Sequence, residues 1–155
     1  MRYGFTGTQR GMTSFQSEEL KKRLEGCTEF VFGDCIGSDW EAANIAIFNV
    51  QIFTIYPQNT NTRKRAFFYN KEKDIKRENG EWLLYPSGLR IRWMPAEKPL
   101  ERNKLIVDNC EKLIATPKEF EHTLRSGTWS CIRYAWKVKR EVLIIPPVIR
   151  EDENA

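Results

Sequence analysis

The chain has 155 residues, 41% apolar, 30% charged and 12% aromatic, with a formal net charge of +4. That length suits one hydrophobic core rather than two, and the aromatic content argues against disorder. No apolar run approaches the roughly 18 residues needed to cross a bilayer, and Met1 leads straight into a β-like segment, so a cytoplasmic protein, neither secreted nor membrane-spanning, is expected.

In chain order, Arg2 to Thr6 reads as a strand, Gly7 to Gly11 as a turn, and Ser17 to Glu25 as an amphipathic helix. Thr28 to Phe32 gives a second strand, and Gly33 to Ser38 a glycine-containing turn. Asp39 is a plausible N-cap for a well-buried helix from Trp40 to Asn49, with Glu41 in its first turn. A third strand, Gln51 to Tyr56, stops at Pro57. Residues 58–97 read as an insertion between core elements: a polar stretch carrying basic residues from Arg63 to Arg77, then a candidate hairpin from Trp82 to Trp93 turning at Pro86-Ser87-Gly88. The alternation resumes with a helix from Leu100 to Asn109, a strand from Lys112 to Ala115, a helix from Thr128 to Lys139 and a strand from Glu141 to Ile145. This is the pattern of a mostly parallel, Rossmann-like α/β sheet covered on both faces. One domain over 1–149 and a flexible acidic tail over 150–155 are expected.

Ligands of such sheets bind outside the carboxyl ends of the strands, where four stretches carry suitable chemistry. After the first strand, Gly7, Thr8 and Arg10 combine close backbone approach, a hydroxyl and a cation; a simple glycine turn is the alternative. After the second, Gly33, Asp34, Gly37 and Asp39 place two carboxylates and backbone N–H groups at that edge, and Asp39 as a helix cap alone is the alternative. Arg102 and Asn103 open the third helix with a planar fork and an amide, or form only a solvated face. Arg125, Ser126, Gly127 and Thr128 unite a bare backbone, two hydroxyls, a cation and a helix dipole, which favours an anion over an ordinary capped turn.

Other residues read as structural. Cys27, Cys35, Cys110 and Cys131 show no CxxC spacing and have only His122 as an imidazole companion, so reduced core thiols and no metal or other cofactor are expected. His122 reads as a surface residue, and Trp129 and Trp136 as core or subunit interface. The basic residues between Arg63 and Arg77, diluted by Glu72, Asp74 and Glu78, suit a solvated face or a single-stranded nucleic-acid patch.

Phe32 to Asp39, Ile55 to Asn59, Arg102 to Ile106 and Arg125 through Pro146 together resemble the SLOG superfamily. That superfamily joins DprA (Smf), the LOG "lysine decarboxylase-like" phosphoribohydrolases and YpsA-like nucleotide sensors. The run Arg125-Ser126-Gly127-Thr128, Arg133-Tyr134-Ala135, Arg140-Glu141-Val142 and Pro146 is similar to the DprA pattern in order and spacing. The resemblance implies a nucleotide site in a homo-oligomer, with Arg102 at the position of the arginine that assists cleavage in the phosphoribohydrolases. Where those enzymes carry glutamates after the phosphate loop, this chain has Trp129, Ser130 and Cys131, so a non-catalytic binder of a phosphorylated nucleotide, a sensor or sequestering module, is expected. The alternatives are a nucleotide N-glycosidase using Asp34, Asp39 or Glu41, and DprA-like binding of single-stranded DNA.

Overall fold

The computed structural model describes residues 1–59, 79–85 and 87–149. The basic run from Arg63 to Arg77, Pro86 of the hairpin turn and the tail from Arg150 lie outside the described residues. The elements are β1 (Arg2–Gly7), α1 (Ser14–Arg23), β2 (Glu29–Phe32), α2 (Ser38–Ala46), β3 (Ile52–Ile55), β4 (Leu83–Leu84), β5 (Arg90–Trp93), α3 (Pro99–Asp108), β6 (Lys112–Thr116), α4 (Gly127–Lys137) and β7 (Glu141–Ile144). They build a seven-stranded sheet of order β4-β5-β3-β2-β1-β6-β7. Every pairing is parallel except that of β4 with β5, so the fold is the mostly parallel, Rossmann-like α/β sheet that the alternation implies.

Strand periodicity decides what each face meets. Phe30 and Phe32 of β2 point with Phe5 and Phe53 into an aromatic cluster beneath α1 and α2, with centroid separations from 5.0 to 5.9 Å. Val31 points the other way, with Leu113, toward Ile106 and Val107 of α3 and Cys131 and Ala135 of α4. Each fully buried large side chain contributes about 1.5–3 kcal/mol relative to exposure, so this two-sided burial is the main support of the fold.

Three departures from the sequence reading have their reason in visible contacts. The first helix starts earlier, at Ser14, because Thr13 and Gln16 close a reciprocal capping box: Gln16 N–H donates to Thr13 Oγ1 at 3.1 Å and Thr13 N–H to Gln16 Oε1 at 3.0 Å. Asp39 is not the N-cap of α2; Gly37 holds that position and Asp39 lies inside the first turn. The hairpin forms, and its second strand also docks in parallel beside β3, so Ile91 and Trp93 join the main core instead of elaborating its edge. The start and end of residues 58–97 are pinned together, with Asn59 N–H donating to Glu97 O at 2.9 Å.

Candidate functional site

The sheet order contains one reversal. From β1 the chain runs outward through β2 and β3 on one side, then returns to place β6 on the other side of β1. The loops after β1 and β6 therefore leave the sheet in opposite directions and open a crevice at its carboxyl edge, the usual ligand position in an open parallel sheet. A cleft of about 560 Å³ lies there, within the ~300–1,000 Å³ of small-molecule sites. Its walls come from the end of β1 and the loop after it, from Cys35 and Asp39, the start of α3, and the loop from β6 into the first turn of α4.

On the α4 side, Ser126 caps the helix by accepting the Trp129 N–H on Oγ at 3.2 Å. Among the described residues no acceptor is placed on the N–H groups of Gly127 and Thr128, both of which border the cleft. A Cβ added at Gly127 would meet nothing within 4 Å, and its φ lies outside the left-handed region. Neither backbone conformation nor internal packing requires glycine there. The missing side chain leaves the helix N-terminus bare toward the cleft. Arg133 braces the approach to it, donating to Thr123 O at 3.1 Å and Leu124 O at 3.2 Å.

The α2 N-terminus is different. Thr8 O accepts both the Ser38 N–H at 3.0 Å and the Ser38 hydroxyl at 2.6 Å, and Met12 N–H donates to Glu41 Oε1 at 2.7 Å. The N–H of Cys35 goes to Asp39 Oδ2 at 3.0 Å. The loop after β1 thus closes over this helix terminus, and the N–H groups of Cys35 and Ser38 are taken up within the protein. Gly33 is where Arg102 crosses the backbone: a Cβ there would collide with the guanidinium.

Arg102 is buried, although arginine usually reaches solvent. Its Nε donates to Asn103 Oδ1 at 3.0 Å and its Nη1 to Cys35 Sγ at 3.4 Å. Among the described residues no acceptor is placed on Nη2. Burial opposes the Arg102 charge, but Cys35 and Asp39 beside it more than compensate and hold its pKa above the ordinary value. Burial pushes Asp39 from its ordinary 3.8 up to about 6, with Arg102 and the Cys35 N–H working against the rise. Burial likewise raises the Cys35 thiol, and raises Cys131 to about 12.

A stability signature follows from Asp39. Its folded pKa lies above the unfolded one, so between about pH 4 and 6 the folded state keeps a proton the unfolded chain has lost, and stability falls as pH rises through that window. The loss is roughly 3 kcal/mol, at about 1.4 kcal/mol per pH unit. Asp39→Asn removes this component while keeping an acceptor for Cys35. Urea denaturation of both proteins at pH 4 and pH 7 should show the wild type losing that much relative to the variant; identical pH dependence would contradict it.

The cleft is lined by Gly7, Thr8, Arg10, Asp39, Arg102, Asn103, Arg125, Ser126, Gly127 and Thr128 together. Gly33, Asp34 and Gly37 do not line it. Asp34 is buried in a left-handed conformation, φ 52°, tolerated by its short polar side chain. Glu41 is engaged by Met12, outside the cleft. Gln58, Lys118, Glu119 and Thr123 border the cleft without having been singled out in the sequence. His122 sits outside the cleft, exposed, edge-on to Trp129 at 5.7 Å and 2.9 Å from Arg133 Nη1. Trp129 is core, whereas Trp136 is half exposed. Among the described residues no group of three or more His, Cys, Asp or Glu side chains could hold a metal ion, and no helix is long and apolar enough to cross a membrane.

No protein-family model matches the chain, and no curated protein does. Among solved structures it is similar to the molybdenum cofactor binding protein from the phototrophic bacterium Rippkaea orientalis. The TM-score is 0.60 at 15% sequence identity, over 94% of this chain and 76% of that one. The likeness shows a shared α/β fold.

Proposed function

We propose that the chain binds a phosphorylated nucleotide or nucleotide-like ligand in the switch-point cleft, as a sensor or sequestering module. The observation that carries this reading is the α4 N-terminus: two unshared N–H groups, a glycine with no internal reason to be one, and the cations Arg10, Lys118 and Arg125 on the same cleft. The resemblance to the SLOG superfamily supports a nucleotide, and the structural neighbour adds a protein of this fold that binds a cofactor. The residues assigned to the ligand are Thr8, Arg10, Arg102, Asn103 and Arg125 to Thr128, with the phosphate at Ser126-Gly127-Thr128.

Gly127→Val tests the phosphate position. The added Cβ meets no protein atom within 4 Å outside its chain neighbours and own helix, so stability should change by no more than about 0.5 kcal/mol, as for an ordinary surface substitution. By covering the free N–H groups it should weaken binding of nucleoside monophosphates at least about tenfold. Calorimetry beside a thermal melt reads both, and unchanged affinity would remove this loop from the site.

A second reading is favoured by Asp39. A buried carboxyl held at about 6 beside a cleft arginine suits general acid or base work in N-glycosidic cleavage. Incubating the protein with nucleoside monophosphates and assaying free base decides between them: release of base abolished in Asp39→Asn supports the enzyme, and none supports the binder.

A further inference from the structure

We infer that Asn103 and Arg102 together form a donor-only subsite on α3, which holds an acceptor oxygen of the ligand, phosphoryl or base carbonyl, and rejects an amino group; the inference rests on the ligand proposed above. Arg102 Nε can only donate, so the Asn103 atom 3.0 Å from it is Oδ1. This contact fixes the orientation of an amide whose shape alone leaves oxygen and nitrogen interchangeable. The group of Asn103 left over is therefore Nδ2, and among the described residues no acceptor is placed on it. Arg102 uses Nε on Asn103 and Nη1 on Cys35, which leaves Nη2. Nη2 shares with Nε the edge of the guanidinium that grips paired oxygens, so it lies on the Asn103 side of the fork. Both nitrogens keep accessible surface, unlike Trp129 Nε1 and Thr116 Oγ1, which are sealed in the protein without a partner. Arg102 is only 9% exposed and borders the cleft, so the surface that its Nη2 keeps opens there; Asn103 borders the cleft beside it.

The free side-chain groups of the pair are donors alone. The carboxylate beside them, Asp39, takes the Cys35 N–H at 3.0 Å and is matched to the Arg102 charge. A ligand amino group placed here would meet N–H bonds on both residues and lose its hydration without replacement. An oxygen with two lone pairs can take one bond from each residue. The ligand thus carries acceptors at two places on the cleft wall: the phosphate at the start of α4, and a second oxygen at α3. Phosphoryl and carbonyl oxygens offer the same acceptor chemistry to this pair.

Asn103→Asp is the test. It keeps an oxygen for Arg102 Nε and puts a second oxygen where the amide nitrogen stood. Wild type and variant are compared by thermal melts and by calorimetry with inorganic phosphate and the four common ribonucleoside 5′-monophosphates and 5′-diphosphates. The unliganded variant should melt no lower than wild type, because a carboxylate is the better acceptor for a guanidinium. Its affinity for the tightest nucleotide should nevertheless fall at least about tenfold, whereas a residue that merely braced Arg102 would leave affinity unchanged. If the second acceptor is phosphoryl, the preference for diphosphate over monophosphate disappears in the variant whatever the base. If it is a carbonyl, the preference for guanine over adenine or uracil over cytosine disappears, equally for mono- and diphosphates. A lower melting temperature would overturn the amide orientation on which the inference stands. Wild-type affinity throughout would overturn the inference and leave the nucleotide reading intact. So would an equal loss for every ligand, inorganic phosphate included, since that is the added charge acting on the α4 phosphate position. A wild type that binds none of the panel would overturn both.

Discussion

Alanine at Arg102 is expected to damage both the fold and the site. The guanidinium is buried against the Gly33 backbone, donates to Asn103 and Cys35, and is the cation nearest in effect to the buried Asp39. Removing it leaves a cavity, an unpaired Asn103 acceptor and an aspartate without its counter-charge. Loss of one member of a buried charged group commonly costs 3 kcal/mol or more, but Asp39 can escape by protonating, so about 2–3 kcal/mol of stability is expected. Affinity should fall by a further 1.5–3 kcal/mol or so if Nη2 holds an anionic group. Lysine should recover part of each loss, since an ammonium restores attraction but cannot serve Asn103, Cys35 and a ligand in one plane. Under the enzyme reading the alanine variant should instead lose turnover more than ground-state binding. Chemical denaturation and calorimetry on the three proteins give these quantities; wild-type stability and affinity in Arg102→Ala would show that the guanidinium supports neither.

Gly37→Ala should be the more disruptive change for the fold itself. Gly37 adopts φ 83° and ψ −125°, a region open in practice only to glycine, and a Cβ there would drive into the backbone carbonyl of Gln9. The obstacle is main chain, so no rotamer change relieves it. The loop after β1 and the α2 terminus would have to part, breaking the Ser38 bonds to Thr8. A loss of about 3 kcal/mol or more is expected, from a total that for such domains is only about 5–15 kcal/mol. Gly26 is the control. It also has a positive φ, 80°, but open space around the added Cβ, so Gly26→Ala should cost only about 1–2 kcal/mol of backbone strain. Urea midpoints on the two variants compare them, and equal losses would mean that the contact with Gln9 carries no weight.

The elements were legible because their signals are local. The continuous apolar run Phe30-Val31-Phe32 and the apolar stripe of Ile106, Val107 and Cys110 identify a strand buried on both faces and a helix without knowledge of their neighbours. The convergence of Thr8, Arg102 and Gly127 was also legible, since a parallel sheet carries every post-strand loop to one edge. What remained hidden depends on contacts between distant segments. Thr8 O satisfies the N-terminus of α2 from 30 residues away, so a hydroxyl that looks like a ligand group in sequence sits in a loop clamped to a helix. Asp39 resembles a cap in sequence, because residue type alone does not show that its carboxylate turns back to the Cys35 N–H four residues earlier and that Thr8 O takes the Ser38 N–H. Gly37 and Gly127 look alike as glycines in turns, yet the backbone demands the first while nothing inside the protein demands the second. Glu119 stands in a loop without periodicity, and its place on the cleft wall depends on the fold. The capping box at Thr13 and Gln16 was in plain view as T-x-x-Q.

The central claim is that the cleft recognises phosphate and does so at the start of α4. Its most direct test is calorimetric titration of the wild-type chain with ribonucleoside 5′-monophosphates and, in parallel, with the matching nucleosides. The account predicts that at least one monophosphate binds at least about a hundredfold more tightly than its nucleoside, the difference expected for charge-assisted bonds to one phosphate group. Equal affinity for nucleotide and nucleoside, or no binding of either, would contradict it.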